Sequence, residues 1–176
     1  ETGSRIVPDV GEVSIEDLIE DEEIIVSISS NGYIKSVPST SYKKQGRGGK
    51  GVKAASSDED VIEHLLSTSV HAYLLFFTDQ GKVYRAKAHE LPKTTRTAQG
   101  SLIHNVLAMS QDEKVQAIID TRDYETEKFL LIMTEKGTVK KSAFKDFDSN
   151  YKSLQAIKLK EEDIVVSVKT TSGNED

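Results

Sequence analysis

The chain has 176 residues, a formal net charge of −6 and no cysteine, so a disulfide framework and a thiolate metal site are both excluded, and a reducing cytoplasm is the natural setting. The length allows one ordinary domain or several small repeated units around a real core. No apolar run approaches the ~20 residues that cross a bilayer, so no membrane partner is expected.

The first segment, residues 1–23, is an acidic lead-in with nine acids against Arg5 alone, and its Glu1–Ser4 start reads as foreign to the rest of the chain. The remaining chain has 22 basic and 20 acidic residues, so it is nearly neutral. Within the lead-in, Ser14 and Asp17 form an S-x-x-D cap ahead of Leu18 and Ile19, which predicts a short helix.

From Ile24 onward one pattern recurs three times, as an apolar run, a turn with glycine, and a β-rich run dotted with lysine or arginine. The copies are Ile24 to Ser36, Tyr73 to Arg85 and Phe129 to Lys141. Each predicts a β-hairpin, since β-branched and aromatic residues flank a glycine able to take positive φ. The turn glycines Gly32, Gly81 and Gly137 are 49 and then 56 residues apart, a period suited to propeller blades. Further short strands are predicted at 101–107, 115–121, 154–159 and 164–171. The expected fold class is therefore all-β, with propeller-like blades of about four antiparallel strands. The array covers 24–171, with repeats near 24–60, 61–122 and 123–171, followed by a tail at 172–176. The polar stretch 54–60 reads as a connection. The acid groups Asp58-Glu59-Asp60 and Glu161-Glu162-Asp163 read as solvated blade corners.

Between the first and second hairpins lies the most distinctive segment. Residues 35–53 hold six cations (Lys35, Lys43, Lys44, Arg47, Lys50 and Lys53) and no acid, with glycines at 46, 48, 49 and 51. Glycine lets backbone N–H groups approach phosphate oxygens, while arginine and lysine supply charge. It is not a Walker loop, because Gly51 follows Lys50 where Ser or Thr is required. The hairpin cations Lys35, Lys82, Arg85, Lys87, Lys140 and Lys141 recur just after each turn. With Lys93 and Arg96 they predict a basic rim for a nucleic-acid backbone.

Other chemistry finds little support. His64, His71, His89 and His104 are isolated from one another, and no nucleophile elbow or ordered triad occurs, so no catalytic site, no metal and no cofactor is expected. The chain has no Trp, and only Tyr42 accompanies the glycine loop, which favours duplex over single-strand recognition.

The run Gln45-Gly46-Arg47-Gly48-Gly49-Lys50-Gly51 resembles the seven-residue box of the DNA gyrase A family, usually Gln-Arg-Arg-Gly-Gly-Arg/Lys-Gly, with Gly46 where the second position has arginine. The resemblance extends over Val13 to Ile19, Asn31 to Lys35, Phe77 to Arg85, Leu91-Pro92, Arg96 to Gly100 and Gly137 to Lys141. It implies a β-pinwheel, the C-terminal DNA-wrapping domain, in which neighbouring blades exchange strands. The family domain normally has six blades, and this chain corresponds to about the first three. By position, Gln45 through Gly51 are the wrapping motif, with Arg96 to Gly100 a degenerate copy in the second unit and Asn150 to Leu154 a copy without glycines in the third. The implied partners are duplex DNA, the remainder of gyrase A and gyrase B, and strand exchange would also allow two half-discs to self-associate. Cleavage and ATP hydrolysis would lie elsewhere in the type II topoisomerase. The alternatives are a topoisomerase IV pinwheel, which usually lacks an intact box, and a propeller-like scaffold for protein partners.

Overall fold

The computed structural model describes residues 20–41, 60–120, 128–147 and 151–171. The expected helix near Ser14, the box at 45–51, its neighbours Lys43, Lys44 and Lys53, and the tail lie outside the described residues. Among the described residues there are three antiparallel sheets. The first has the order β3 (Ile62–Ser69), β1 (Glu23–Ser29), β2 (Tyr33–Pro38), β6 (Ser101–Leu102). The second has β10 (Ser153–Gln155), β5 (Lys82–Lys87), β4 (Tyr73–Thr78), β7 (Val115–Asp120), and the third has β11 (Val165–Thr171), β8 (Phe129–Thr134), β9 (Val139–Ala143).

The three predicted hairpins are the pairs β1–β2, β4–β5 and β8–β9. Gly32, Gly81 and Gly137 turn them at φ of +89°, +83° and +98°, the left-handed region that a side chain disfavours. A hydroxyl closes each turn. Ser29, Thr78 and Thr134 end the first strand and accept the N–H of Tyr33, Lys82 and Thr138, four residues on. Three stretches depart from the expected strand pattern, one of them 154–159, where only Leu154 and Gln155 are strand. Ile62–Ser69 pairs along β1, so the first unit reaches Ser69 rather than ending near residue 60. Only Ser101–Leu102 of 101–107 is strand, and Ile103–Val106 forms one helical turn, α1.

Each of the first two sheets is built from one unit and closed by the next. β6, from the second unit, pairs Leu102 with Tyr33 and Ser101 with Ile34, while β10, from the third, pairs Ser153 to Gln155 with Tyr84 to Lys82. Among the described residues the third sheet has no such closing strand, and β9 is its edge.

The core fills the two gaps between sheets. Ile24, Val26, Ile28 and Ile34 face Leu74, Phe76 and Tyr84, whereas Leu75, Phe77 and Val83, on the opposite face of the second sheet, pack with Leu130, Ile132 and Phe144. A strand buried on both faces needs an unbroken apolar run, which accounts for Tyr73-Leu74-Leu75-Phe76-Phe77. Phe77 and Phe147 meet edge to face at 5.6 Å. Val139 occupies the position of Ile34 and Val83 after its turn. Those two are fully buried, but Val139 is 60% exposed, because the third sheet has no described neighbour on that side.

A buried acid locks each unit, which corrects the solvated-corner reading of Asp60 and Asp163. Asp60 accepts the Ser30 hydroxyl and the Asn31 N–H, both at 2.9 Å. Glu113 accepts Thr78 Oγ1, the Tyr84 hydroxyl and the Ser110 N–H. Asp163 accepts the N–H groups of Lys136 at 3.0 Å and Ile164 at 2.9 Å. Burial alone would raise the Asp60 and Asp163 carboxyls. The bonds from Ser29, Asn31 and Ser30 to the first, and from Thr134, Lys136 and Ile164 to the second, outweigh it and hold both below the usual carboxylate value. Burial, reinforced by the Glu113 carboxylate, raises the Tyr84 phenol well above its ordinary value.

Candidate nucleic-acid interface

The predicted rim residues collect along the closing edges of the sheets. On the first edge, Lys93 lies parallel to Ser36, tied by Ser36 N–H to Pro92 O at 2.8 Å and Thr94 N–H to Ser36 O at 3.0 Å. Lys93 is exposed and pairs with Glu22 at 3.0 Å. Arg96 follows in the loop between this bridge and β6. On the second edge, the Arg85 guanidinium stands 3.6 Å from the Tyr73 ring centroid and 5.6 Å from that of Tyr151, with Lys87 also 5.6 Å above Tyr73. Arg85 N–H bonds Lys152 O at 3.0 Å, so the closing segment of the third unit runs beside it. On the third edge, Lys140 and Lys141 are exposed. Lys140 Nζ reaches Ala156 O at 2.8 Å, and Lys141 lies 4.4 Å above Phe129. Lys82 is also exposed.

Lys35 is a correction. It is 1% exposed, and its ammonium donates inward to the carbonyls of Thr95 at 3.3 Å, Arg96 at 2.6 Å and Ala98 at 2.6 Å. A side chain so enclosed is not a rim contact. Burial, with the nearby Arg96 charge, lowers its pKa. Arg85 departs from the open-rim picture more mildly, since it is half-buried and sandwiched between aromatic rings, an arrangement that fixes its position.

Sequence reasoning missed Lys145, Lys152, Lys158 and Lys160, all exposed along the third unit's closing segment. Their spacing around Asn150 to Leu154 was the available signal, masked by the missing glycines. His64 and His104 border a cleft of about 160 Å³ between the first hairpin turn and the Glu113–Val115 segment. Each ring binds a backbone carbonyl there, Val115 O at 3.0 Å and Glu113 O at 3.2 Å. Among the described residues no group of three His, Cys, Asp or Glu side chains could hold a metal ion, and no helix is long and apolar enough to cross a membrane.

Strand-exchanged sheets stacked face to face, with cations along their closing edges, define a repeat module of the β-propeller class with an extended polar rim. A family model described as the DNA gyrase C-terminal domain, beta-propeller, matches three times, at residues 23–71, 72–121 and 128–172. These units agree with the sheets, including β3 in the first. The chain belongs to this family. It is 44% identical over 98% of its length to the gyrase A protein of Mycolicibacterium smegmatis, and 38% identical over 94% to that of Clostridium acetobutylicum. It spans 21% and 20% of those two proteins. Among solved structures, the C-terminal domain of DNA topoisomerase IV matches with a TM-score of 0.76 at 29% identity, over 88% of this chain and 47% of that one. A DNA gyrase A C-terminal domain matches with a TM-score of 0.62 at 26% identity, over 85% and 48%.

Proposed function

We propose that this chain binds duplex DNA without sequence preference and wraps it along the closing edges, supporting negative supercoiling by a gyrase. The observation that carries the reading is the alignment of cations along three successive edges: Lys93 and Arg96, then Arg85, Lys87 and Lys152, then Lys140 and Lys141. A duplex carries a charge every ~1.7 Å, so contacts spread over a curved surface release counterions at each step and bend the path. Gln45, Gly46, Arg47, Gly48, Gly49, Lys50 and Gly51 form the wrapping motif within the first unit, after its hairpin, with Lys43, Lys44 and Lys53 adding charge. Gly46 removes one arginine contact that neighbouring Lys43 and Lys44 offset electrostatically.

Strand cleavage and ATP hydrolysis belong to other parts of the enzyme, the remainder of gyrase A and gyrase B, acting at the nucleoid in the cytoplasm. A topoisomerase IV pinwheel is the second reading, favoured by the TM-score of 0.76. The box, present in six of seven positions, favours gyrase. Gel retardation of unrelated duplexes of equal length tests binding. Equal affinities that fall steeply with salt are expected, and no retardation at low salt would instead favour a protein scaffold.

A further inference from the structure

The loop over Lys35 has a polarity that the charge count alone does not reveal. In a trans peptide the C=O of one residue and the N–H of the next point in opposite directions. Lys35 draws the carbonyls of Thr95, Arg96 and Ala98 inward. The N–H groups of Arg96, Thr97 and Gln99 are thereby turned outward, and none of the three has a partner among the described residues. Thr97 and Gln99 are exposed.

Arg96 adds a second observation, since its Nε and Nη1 are shielded from water yet have no acceptor among the described residues. Arginine nitrogens left in that state are unfavourable, because the loss of their hydration is not offset by another acceptor. No acid is available within the surrounding sequence, since residues 91–111 contain neither Asp nor Glu. Both ends of the loop are fixed. Pro92 to Thr94 bond to Ser36, and Gly100, at φ +94°, lies so close to β2 that a Cβ would stand 2.5 Å from Ile34 O. Outward amides backed by a cation are the arrangement that takes an anionic oxygen.

We propose that Thr95–Gln99 is a phosphate-oxygen site in which the amides of Arg96, Thr97 and Gln99 receive the anion and the Arg96 guanidinium supplies positive charge beside it, while Lys35 is a positioning residue that never touches it. This rests on the duplex-binding reading and assigns it a specific contact in the second unit. The buried ammonium orients three peptide planes, and its charge lies directly behind the ligand. A lysine that looks like a surface phosphate contact thus acts through another residue's loop.

The test is amide NMR of the ¹⁵N-labelled chain, titrated in parallel with a short mixed-sequence duplex and with inorganic phosphate. The duplex should shift the Arg96, Thr97 and Gln99 resonances, and phosphate should shift the same set at much higher concentration. Shifts with duplex alone would support a site selective for the polymeric phosphodiester. Arg96→Gln should weaken duplex binding about 5- to 10-fold and reduce the salt slope by about 1. Lys35→Met should weaken it similarly, with Arg96→Gln adding little in that background. Independent, additive losses would make Lys35 a direct contact and overturn its positioning role. If Lys35→Met fails to give a folded spectrum, the wild-type shifts and Arg96→Gln decide. Duplex binding with these three amides unmoved would overturn the site and leave the DNA reading standing. Phosphate-induced shifts without duplex binding would do the reverse, and no response to either would remove both.

Discussion

Replacing the four positive-φ glycines among the described residues one at a time with alanine separates strand exchange from ordinary turn geometry. Gly32, Gly81, Gly100 and Gly137 have φ between +83° and +98°, so alanine costs each about 1–2 kcal/mol in backbone conformation. Their surroundings differ. At Gly137 a Cβ meets nothing within 4 Å, and at Gly32 its nearest neighbour is a His104 ring atom at 3.8 Å. At Gly81 it would stand 2.7 Å from Ile157 O, and at Gly100 2.5 Å from Ile34 O, both backbone atoms. Those contacts join a hairpin to the segment donated by the next unit, so relief requires the closing strand to move. Overpacking of this kind adds about 1–3 kcal/mol. For a chain of this size each kcal/mol corresponds to about 2–4 °C in Tm. Gly32→Ala and Gly137→Ala should therefore lower Tm by about 2–8 °C, and Gly81→Ala and Gly100→Ala by about twice as much, measured by circular dichroism. Equal losses at all four would refute the claim that β6 and β10 press against the preceding hairpins.

Acid should unfold the chain through the locks at Asp60 and Asp163. Their folded carboxyls titrate below the unfolded value of about 3.9, so their contribution is present above about pH 4 and is lost as pH falls through the folded pKa. Asp60→Asn with Asp163→Asn should flatten the stability profile below pH 4 in denaturant titrations, and an unchanged profile would count against the locks. Charge reversal by Arg47→Glu and Lys50→Glu should weaken all duplexes alike and flatten the salt dependence, while an unaltered slope would mean the box is not the principal contact. β9, an edge strand among the described residues, and exposed Val139 make self-association of the 176-residue chain the expected result of sedimentation at rising concentration. Val139→Lys should suppress it, and a single monomer mass at every concentration would exclude it.

The hairpins were legible because each is local, a β-branched or aromatic run turned by a glycine. β3 was not, since Ile62–Ser69 mixes Glu63 and His64 into a short apolar run and finds β1 across a long connection. Asp60 and Asp163 were misread for a related reason. An acid just before a strand resembles a solvated corner, and Asp60's partner Ser30 lies 30 residues earlier. Lys35 shows the limit most clearly. In Ile34-Lys35-Ser36 its alternation points to solvent, and nothing nearby announces that carbonyls 60 to 63 residues away will cover it. The cationic character of the edges was readable, whereas the division between exposed, stacked and buried cations depends on segments donated by the next unit.

Wrapping itself is tested by binding the chain to relaxed closed-circular DNA, adding a nicking-closing enzyme, and measuring linking number after the protein is removed. A progressive shift of the topoisomer distribution with added protein is predicted, reduced by the Arg47→Glu and Lys50→Glu pair. Retarded DNA with an unshifted distribution would show binding without wrapping and would contradict the central claim.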